Sequence, residues 1–319
     1  MSATLAETAL QRTALEPDAA SGPRIPFILS CARSGSTWLG KVFDSHPDVF
    51  YLHEPDMIDR GLDLVPFWFS GAPTSDQVNA ARAYVHRLAD IRAPRSVGTR
   101  PYFRKGYRSG LNEVLRRGLI HAVKGFERAG VDRYLRPVNV PDLARAGGVG
   151  RCVIKSVNSL GRVESLLRGA ADLVHPILLL RHPCGYVRSQ LRGIESGVMG
   201  PAMRPGRLLE TRAARRLGVR ELVLAVNDPA EQLTWNWLLA NAEAYDAMEA
   251  LGGGTTVVYE SLLGGKGDEI RALFAKVGVS WAPETETFLR RSWETTGGYY
   301  AVFRKPEHCI SDWRNHLDE

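Results

Sequence analysis

Three groups of residues in this chain have the types and spacing to handle an oxyanion and move a proton. The densest is Arg33-Ser34-Gly35-Ser36-Thr37, which follows the apolar run Phe27-Ile28-Leu29 and leads into Trp38-Leu39. Its glycine permits a sharp backbone turn and its hydroxyls donate hydrogen bonds. The amides of a helix N-terminus beside them complete a cradle for phosphate or sulfate. Arg33 adds a fixed positive charge with fork geometry. The second group is Arg181, closing the apolar run 176–180, and Ser189 eight residues later. An arginine at a strand's carboxyl end and a serine on the following helix can converge on one phosphate. The third group is His53-Glu54, after the run 49–52, with Lys155 after the run 151–154. A carboxylate or imidazole there can take a proton while an ammonium steadies negative charge.

A rival reading fits the first loop. Gly35, Gly40 and Lys41 satisfy most of a Walker A pattern, which would imply a magnesium-dependent P-loop kinase. Val42 stands where Ser or Thr should hold magnesium, and the run 176–180 ends in Arg181 rather than an aspartate. A helix starting near Ser36 would also put Lys41 a full turn inside, unable to curl back over a phosphate.

These groups need a scaffold that brings strand ends together. Apolar runs at 26–30, 49–52, 151–154, 176–180 and 255–259 read as buried parallel strands. Helical stretches at 37–45, 159–168 and 232–251 alternate with them. The expected fold is therefore α/β: a central parallel sheet, helices on both faces, and a P-loop-like strand–loop–helix at its start. Ligands of such sheets bind beyond the carboxyl ends of the strands. Residues 1–24 read as a disordered lead-in and 25–319 as a single domain. A largely helical insertion at about 59–150 lies near the mouth of the sheet.

The run from Arg33 to Pro55, containing R-S-G-S-T, H-P-D-V-F and H-E-P, closely resembles the 5′-phosphosulfate loop of sulfotransferases that use 3′-phosphoadenylyl sulfate (PAPS). It is most similar to the carbohydrate 6-O-sulfotransferase type and shares features with the tyrosylprotein type. Leu178-Leu-Leu-Arg181 through Ser189 looks like the family's 3′-phosphate site. Val257-Val-Tyr-Glu-Ser-Leu262 resembles its Y-E-D-L strand end, which would set Tyr259 near the nucleotide, as a buried strand tyrosine otherwise. Val302-Phe-Arg-Lys-Pro through Trp313 is similar to the C-terminal R-K-G…G-D-W-K-N signature, with Pro306 in place of the glycine and a longer gap. The resemblance does not cover the insertion.

The resemblance implies PAPS as sulfuryl donor and no required metal. Arg33, Ser34, Gly35, Ser36, Thr37 and Trp38 would hold the 5′ end, and Arg181, Ser189 and Arg304 the 3′-phosphate. Sulfuryl transfer should resemble phosphoryl transfer, an in-line displacement with charge spread over equatorial oxygens. Lys155 would serve the bridging oxygen, as a family lysine at this strand end does. Glu54 is the preferred base: the tyrosylprotein type has its catalytic glutamate at the same offset, twenty-one residues after the loop arginine. His53 is the alternative, because imidazole serves the cytosolic type. Neighbouring strand residues point to opposite faces, so only one of the two should reach substrate. An ordinary carboxylate is a weak base, so partial burial is expected to raise its pKa. A structural ion pair of Glu54 with Arg33 is the plainer alternative. A third possibility is a non-catalytic nucleotide-binding module.

The bulk properties agree with an enzyme of anionic small molecules. The 319 residues are 44% hydrophobic and 24% charged, ordinary for a globular chain, and the net charge is +6. Much of the excess lies at 82–136, with fourteen Lys or Arg against Asp90, Glu113, Glu127 and Asp132. That segment reads equally as a solvated helical face or a substrate-facing basic wall. Phe67, Trp68, Phe69, Tyr102, Phe103 and Tyr107 in the insertion could stack on an acceptor ring or form a small core. The spacing of Trp235, Trp237, Leu238, Tyr245 and Met248 reads as helix core. Cys31, Cys152, Cys184 and Cys309 are too scattered for a zinc site or disulfide framework. No run is long enough to cross a bilayer and no secretory h-region appears, so a cytoplasmic location is expected. The expected partner is a carbohydrate or other small-molecule acceptor, with no nucleic acid and no membrane. The oligomeric state and acceptor identity are left open.

Overall fold

The computed structural model describes residues 23–58, 65–67, 71–129, 138–148, 150–202, 205–294, 302–303 and 305–315. Five strands form one sheet: β1 (Ile25–Leu29), β2 (Val49–His53), β3 (Arg151–Ser156), β4 (Val174–Leu180) and β5 (Thr255–Val258). Their order is β2-β3-β1-β4-β5 and every pairing is parallel. Between β1 and β2 runs α1 (Ser36–Ser45). Between β2 and β3 lie α2 (Ser75–Asp90), α3 (Pro94–Val97) and α4 (Gly110–Arg128). After β3 come α5 (Val163–Gly169) and, beyond β4, α6 (Pro183–Glu195), α7 (Arg212–Leu217), α8 (Arg220–Ala225) and α9 (Pro229–Leu251). After β5 come α10 (Tyr259–Gly264), α11 (Asp268–Lys276), α12 (Pro283–Glu294) and α13 (Pro306–Ile310).

The period-two alternation of strand side chains divides the core between the sheet's faces. Phe27 and Leu29 of β1 join Tyr84 and Val85 of α2, Leu166 of α5 and Leu239 of α9. Ile28 points the other way, to Leu39 and Phe43 of α1 and Phe274 of α11. Both faces are thus covered, which is why these strands read as continuous apolar runs. Tyr245, read from spacing as core, is exposed on α9, whereas Met248 is buried.

Two boundaries differ from expectation and both matter for chemistry. β3 continues to Ser156, so Lys155 lies within the ladder, opposite Ile28 and His53. Tyr259, expected to close β5, instead begins α10.

The described basic residues of 82–136 divide between the two readings: Lys105, Arg108 and Arg116 are buried, whereas Arg82, Arg87, Arg95, Arg100, Arg104 and Arg128 are exposed. Arg82 pairs with Asp172, Arg92 with Asp142, Lys105 with Asp44, and Arg108 and Arg117 with Glu113. The four cysteines are free, and burial pushes the Cys31 and Cys152 thiols up to about 12, leaving them unreactive. Among the described residues no helix is long and apolar enough to cross a membrane.

Candidate active site

The loop after β1 is built on two left-handed residues, Arg33 (φ 70°) and Gly35 (φ 89°). Gly35 needs both its φ and its lack of a side chain. A Cβ there would stand 2.2 Å from Cε2 of Tyr259. Tyr259 is buried and meets Trp38 edge to face at 5.8 Å. The aromatic pair therefore backs the loop. The first bond of α1 runs from the Leu39 amide to the Gly35 carbonyl (3.1 Å), so the amides of Ser36, Thr37 and Trp38 stand ahead of the ladder. Trp38 is anchored from behind by its indole N–H, which donates to Ser292 Oγ (3.2 Å).

The end of β4 reaches the same loop. Arg181 donates from Nη1 to the Arg33 carbonyl (2.7 Å), and Arg33 donates from Nε to Ser189 Oγ on α6 (3.2 Å). The Arg181 guanidinium lies 5.5 Å from the Tyr259 ring centroid. The loop and the strand end that sequence reading assigned separately are thus one continuous cationic corner. Two donors in it await a partner: Ser34 Oγ and Arg181 Nε are buried with no hydrogen bond among the described residues. Buried polar atoms are normally satisfied. Both are donors of the kind that a phosphate or sulfate oxygen would satisfy. Arg304 lies outside the described residues, and Trp313 packs flat on His182 at 4.4 Å.

At the other edge of the sheet, Glu54 and His53 both line the cleft. Strand alternation predicted only one. The difference arises because β2 ends at His53 and Glu54 leaves it in the left-handed region (φ 46°), turning its carboxylate back to the same side. The Glu54 amide donates to the Lys155 carbonyl (2.7 Å) and the Lys155 ammonium donates to Glu54 Oε1. The partner of Glu54 is therefore Lys155, not Arg33. Next to the turn, Asp56 Oδ2 accepts from the Ser156 and Ser159 hydroxyls and lies 3.8 Å from Arg162 Nη1. This buried cluster pins the Glu54 turn to the end of β3.

The electrostatics correct a second expectation. Burial pushes the Glu54 carboxyl up, but the Lys155 ammonium outweighs it and holds the group below the usual carboxylate range. Glu54 is therefore ionised in this state. His53 lies 3.8 Å from the same carboxylate oxygen, and its Nδ1 is 3.0 Å from the Tyr51 hydroxyl. Burial, reinforced by Lys155, pushes the imidazole down to about 3, so it is neutral and a feeble base.

The cleft measures about 580 Å³. Of the residues singled out in the sequence, Arg33, Gly35, Ser36, Thr37, Trp38, His53, Glu54, Lys155, Arg181 and Tyr259 line it. Ser34 and Ser189 stand just behind. Sequence reading missed Thr99 and Arg100, which the insertion contributes, and the apolar Val157, Met199 and Leu263. Arg100 was visible only as one basic residue among fourteen, with no spacing to mark it. The insertion's aromatics turn out to pack: Phe103 sits edge to face on Phe288, Tyr102 on His121, and Phe67 under Arg162. Trp68 and Phe69 lie outside the described residues. The Walker-like Lys41 is buried, donating to Asp44 Oδ2 (2.6 Å) and to the Thr99 (2.6 Å) and Pro101 (3.1 Å) carbonyls. It does not face the loop. Among the described residues no group of three or more His, Cys, Asp or Glu forms a metal cluster.

No protein-family model matches the chain, and no curated sequence does. Among solved structures it is similar to a sulfotransferase domain from the curacin biosynthetic pathway, with 18% identity, TM-score 0.39, and 92% of this chain and 99% of that chain covered. It is similar to a sulfotransferase domain from the Synechococcus PCC 7002 olefin synthase, with 18% identity, TM-score 0.43, and coverage of 95% and 91%. A sulfotransferase from Alicyclobacillus acidocaldarius matches with 14% identity, TM-score 0.38, and coverage of 92% and 99%.

Proposed function

We propose that this chain transfers a sulfuryl group from PAPS to a hydroxyl of a carbohydrate or other small-molecule acceptor. One observation carries the reading. The anion loop after β1 and the arginine closing β4 meet through the Arg181–Arg33–Ser189 contacts, and this corner shares a cleft with Glu54 and Lys155. A donor with phosphate groups at both ends needs such a double corner; a proton transfer needs the pair beside it.

PAPS, when bound, supplies an activated sulfuryl group on its 5′-phosphate. The amides of Ser36, Thr37 and Trp38 hold the 5′ end, with Ser34 Oγ adding a donor; Arg181 and Ser189 hold the 3′-phosphate, and Arg33 stands between. Lys155, paired with Glu54 in the free protein, would serve the departing oxygen of the bound donor. Glu54, with its ion-pair partner so engaged, rises toward the range of a useful base and takes the acceptor proton as the acceptor oxygen forms its bond to sulfur. Lys155 neutralises the oxygen that departs with the electron pair of the broken sulfur–oxygen bond. Val157, Met199 and Leu263 give the cleft an apolar lining that would limit water around the reacting atoms. Because the charge lies on oxygens, preorganised cations supply most of the stabilisation.

The kinase alternative has little support. Val42 is fully buried and Lys41 is committed to carbonyls away from the loop. Thermal denaturation tests the choice. Adenosine 3′,5′-bisphosphate at about 100 times its Kd should add ~2.7 kcal/mol of stability and raise Tm by a few degrees, and Mg-ATP should not. Stabilisation by Mg-ATP alone would sink the donor assignment.

A further inference from the structure

The acceptor side of the cleft carries its own cation. Sheet order lays the site out in a line, from Arg181 just after β4 and the loop after β1, through Lys155 on β3, to His53 at the end of β2 and Glu54 just after it. The segment holding α3 packs on β2, so it lies beyond Glu54 from the donor corner. From that segment Thr99 and Arg100 line the cleft. The charge of Arg95 reaches both Glu54 and His53.

Arg92, Arg108 and Arg117 are paired with Asp142 or Glu113, and Arg82 with Asp172 at the surface. Arg104 and Arg128, like Arg95 and Arg100, have no ion pair or hydrogen bond among the described residues, but of these four only Arg100 lines the cleft. Nor is the presentation of Arg100 incidental. Buried Lys41 donates to the carbonyls on both sides of it, at Thr99 and Pro101. Lys124 (2.6 Å) and Tyr102 (3.2 Å) both donate to the Gly98 carbonyl just upstream. Burying an ammonium is costly, and this one is held by Asp44 and spent on fixing the backbone that carries an unpaired arginine. A fixed backbone that carries a guanidinium unpaired among the described residues into the cleft lining suits an anionic group there.

We propose that Arg100, with Arg95 on the same segment, recognises a negatively charged group on the acceptor, a carboxylate, phosphate or sulfate, so that the substrate is an anionic hydroxyl compound. Lys41 is then a positioning residue for acceptor recognition. The inference rests on the donor reading above, which fixes the opposite end of the cleft.

Calorimetric titration of the full chain, saturated with adenosine 3′,5′-bisphosphate, compares hydroxyl compounds that differ by one charge. The pairs are galacturonate with galactose, and 4-hydroxyphenylacetate with 4-hydroxyphenylacetamide. The anionic member of a pair binds about tenfold tighter, the worth of one charge-assisted contact. Arg100→Ala removes that preference while the bisphosphate Kd stays within about twofold. Equal affinity within both pairs, or a preference that survives in Arg100→Ala, overturns the proposal. A matching loss of bisphosphate affinity in Arg100→Ala assigns the arginine to the donor and also overturns it. Failure of the unmodified chain to bind the bisphosphate is a separate result, which removes the donor reading and this inference together.

Discussion

Glu54→Gln lowers kcat by about 10²–10⁴-fold and leaves the affinity for adenosine 3′,5′-bisphosphate nearly unchanged, the loss expected for a positioned base. The substitution keeps the shape of the side chain and its place in the turn, which the Glu54 amide bond to the Lys155 carbonyl and the Asp56 cluster maintain. Lys155 loses its ion-pair partner and is free to meet the donor, so binding is spared. The pH dependence gives an independent signature. In the free protein Glu54 is held below the usual carboxylate range, its burial outweighed by Lys155. Activity that needs the carboxylate is lost only as pH falls through that depressed value, and this is the acid limb of kcat/KM. With Lys155 serving the bound donor, the carboxyl pKa rises, so the acid limb of kcat should lie at higher pH than that of kcat/KM. Coincident limbs, or a kcat in Glu54→Gln within about threefold of the unmodified chain, would remove Glu54 from the mechanism.

Gly35→Ala should weaken donor binding severely. The new Cβ would overlap the Tyr259 ring at 2.2 Å, and φ of 89° is costly for any residue with a Cβ. The ring has little room to yield, with Trp38 against one side and Arg181 over it. We expect a stability loss of about 2–4 kcal/mol from overpacking and backbone strain together, read by urea denaturation. The bisphosphate affinity falls by at least about 100-fold, because the loop amides move with the backbone. In Gly35→Ala/Tyr259→Ala the overlap is gone but the strain remains, so part of the stability should return relative to Tyr259→Ala alone. Full donor binding in Gly35→Ala would mean the loop is not the anion cradle.

The fold was largely legible because buried parallel strands announce themselves as short apolar runs, and all five runs became strands. The strand-to-helix loop was legible for the same local reason: its glycine, hydroxyls and arginine are close in sequence as well as in space. What escaped depends on contacts between distant segments. Glu54 sits beside Lys155 rather than Arg33 because β2 pairs with β3, an adjacency no local spacing reveals. The simultaneous exposure of His53 and Glu54 follows from one positive φ that breaks the strand period. Which basic residues of the run 82–136 are paired could not be read, because the partners Asp44, Asp142 and Asp172 lie outside it. Lys41 mimicked a Walker lysine only until the carbonyls of Thr99 and Pro101 were seen to hold it.

The claim beneath all of this is that the two anion corners grip one molecule phosphorylated at both ends. Titration with adenosine 3′,5′-bisphosphate and with adenosine 5′-phosphate, in the unmodified chain and in Arg181→Ala, addresses it directly. The bisphosphate should bind at least about 100-fold more tightly, the yield of two charge-assisted contacts to the additional phosphate, and Arg181→Ala should erase most of that margin. Equal affinity for the two nucleotides, or a margin untouched by the loss of Arg181, would contradict the account.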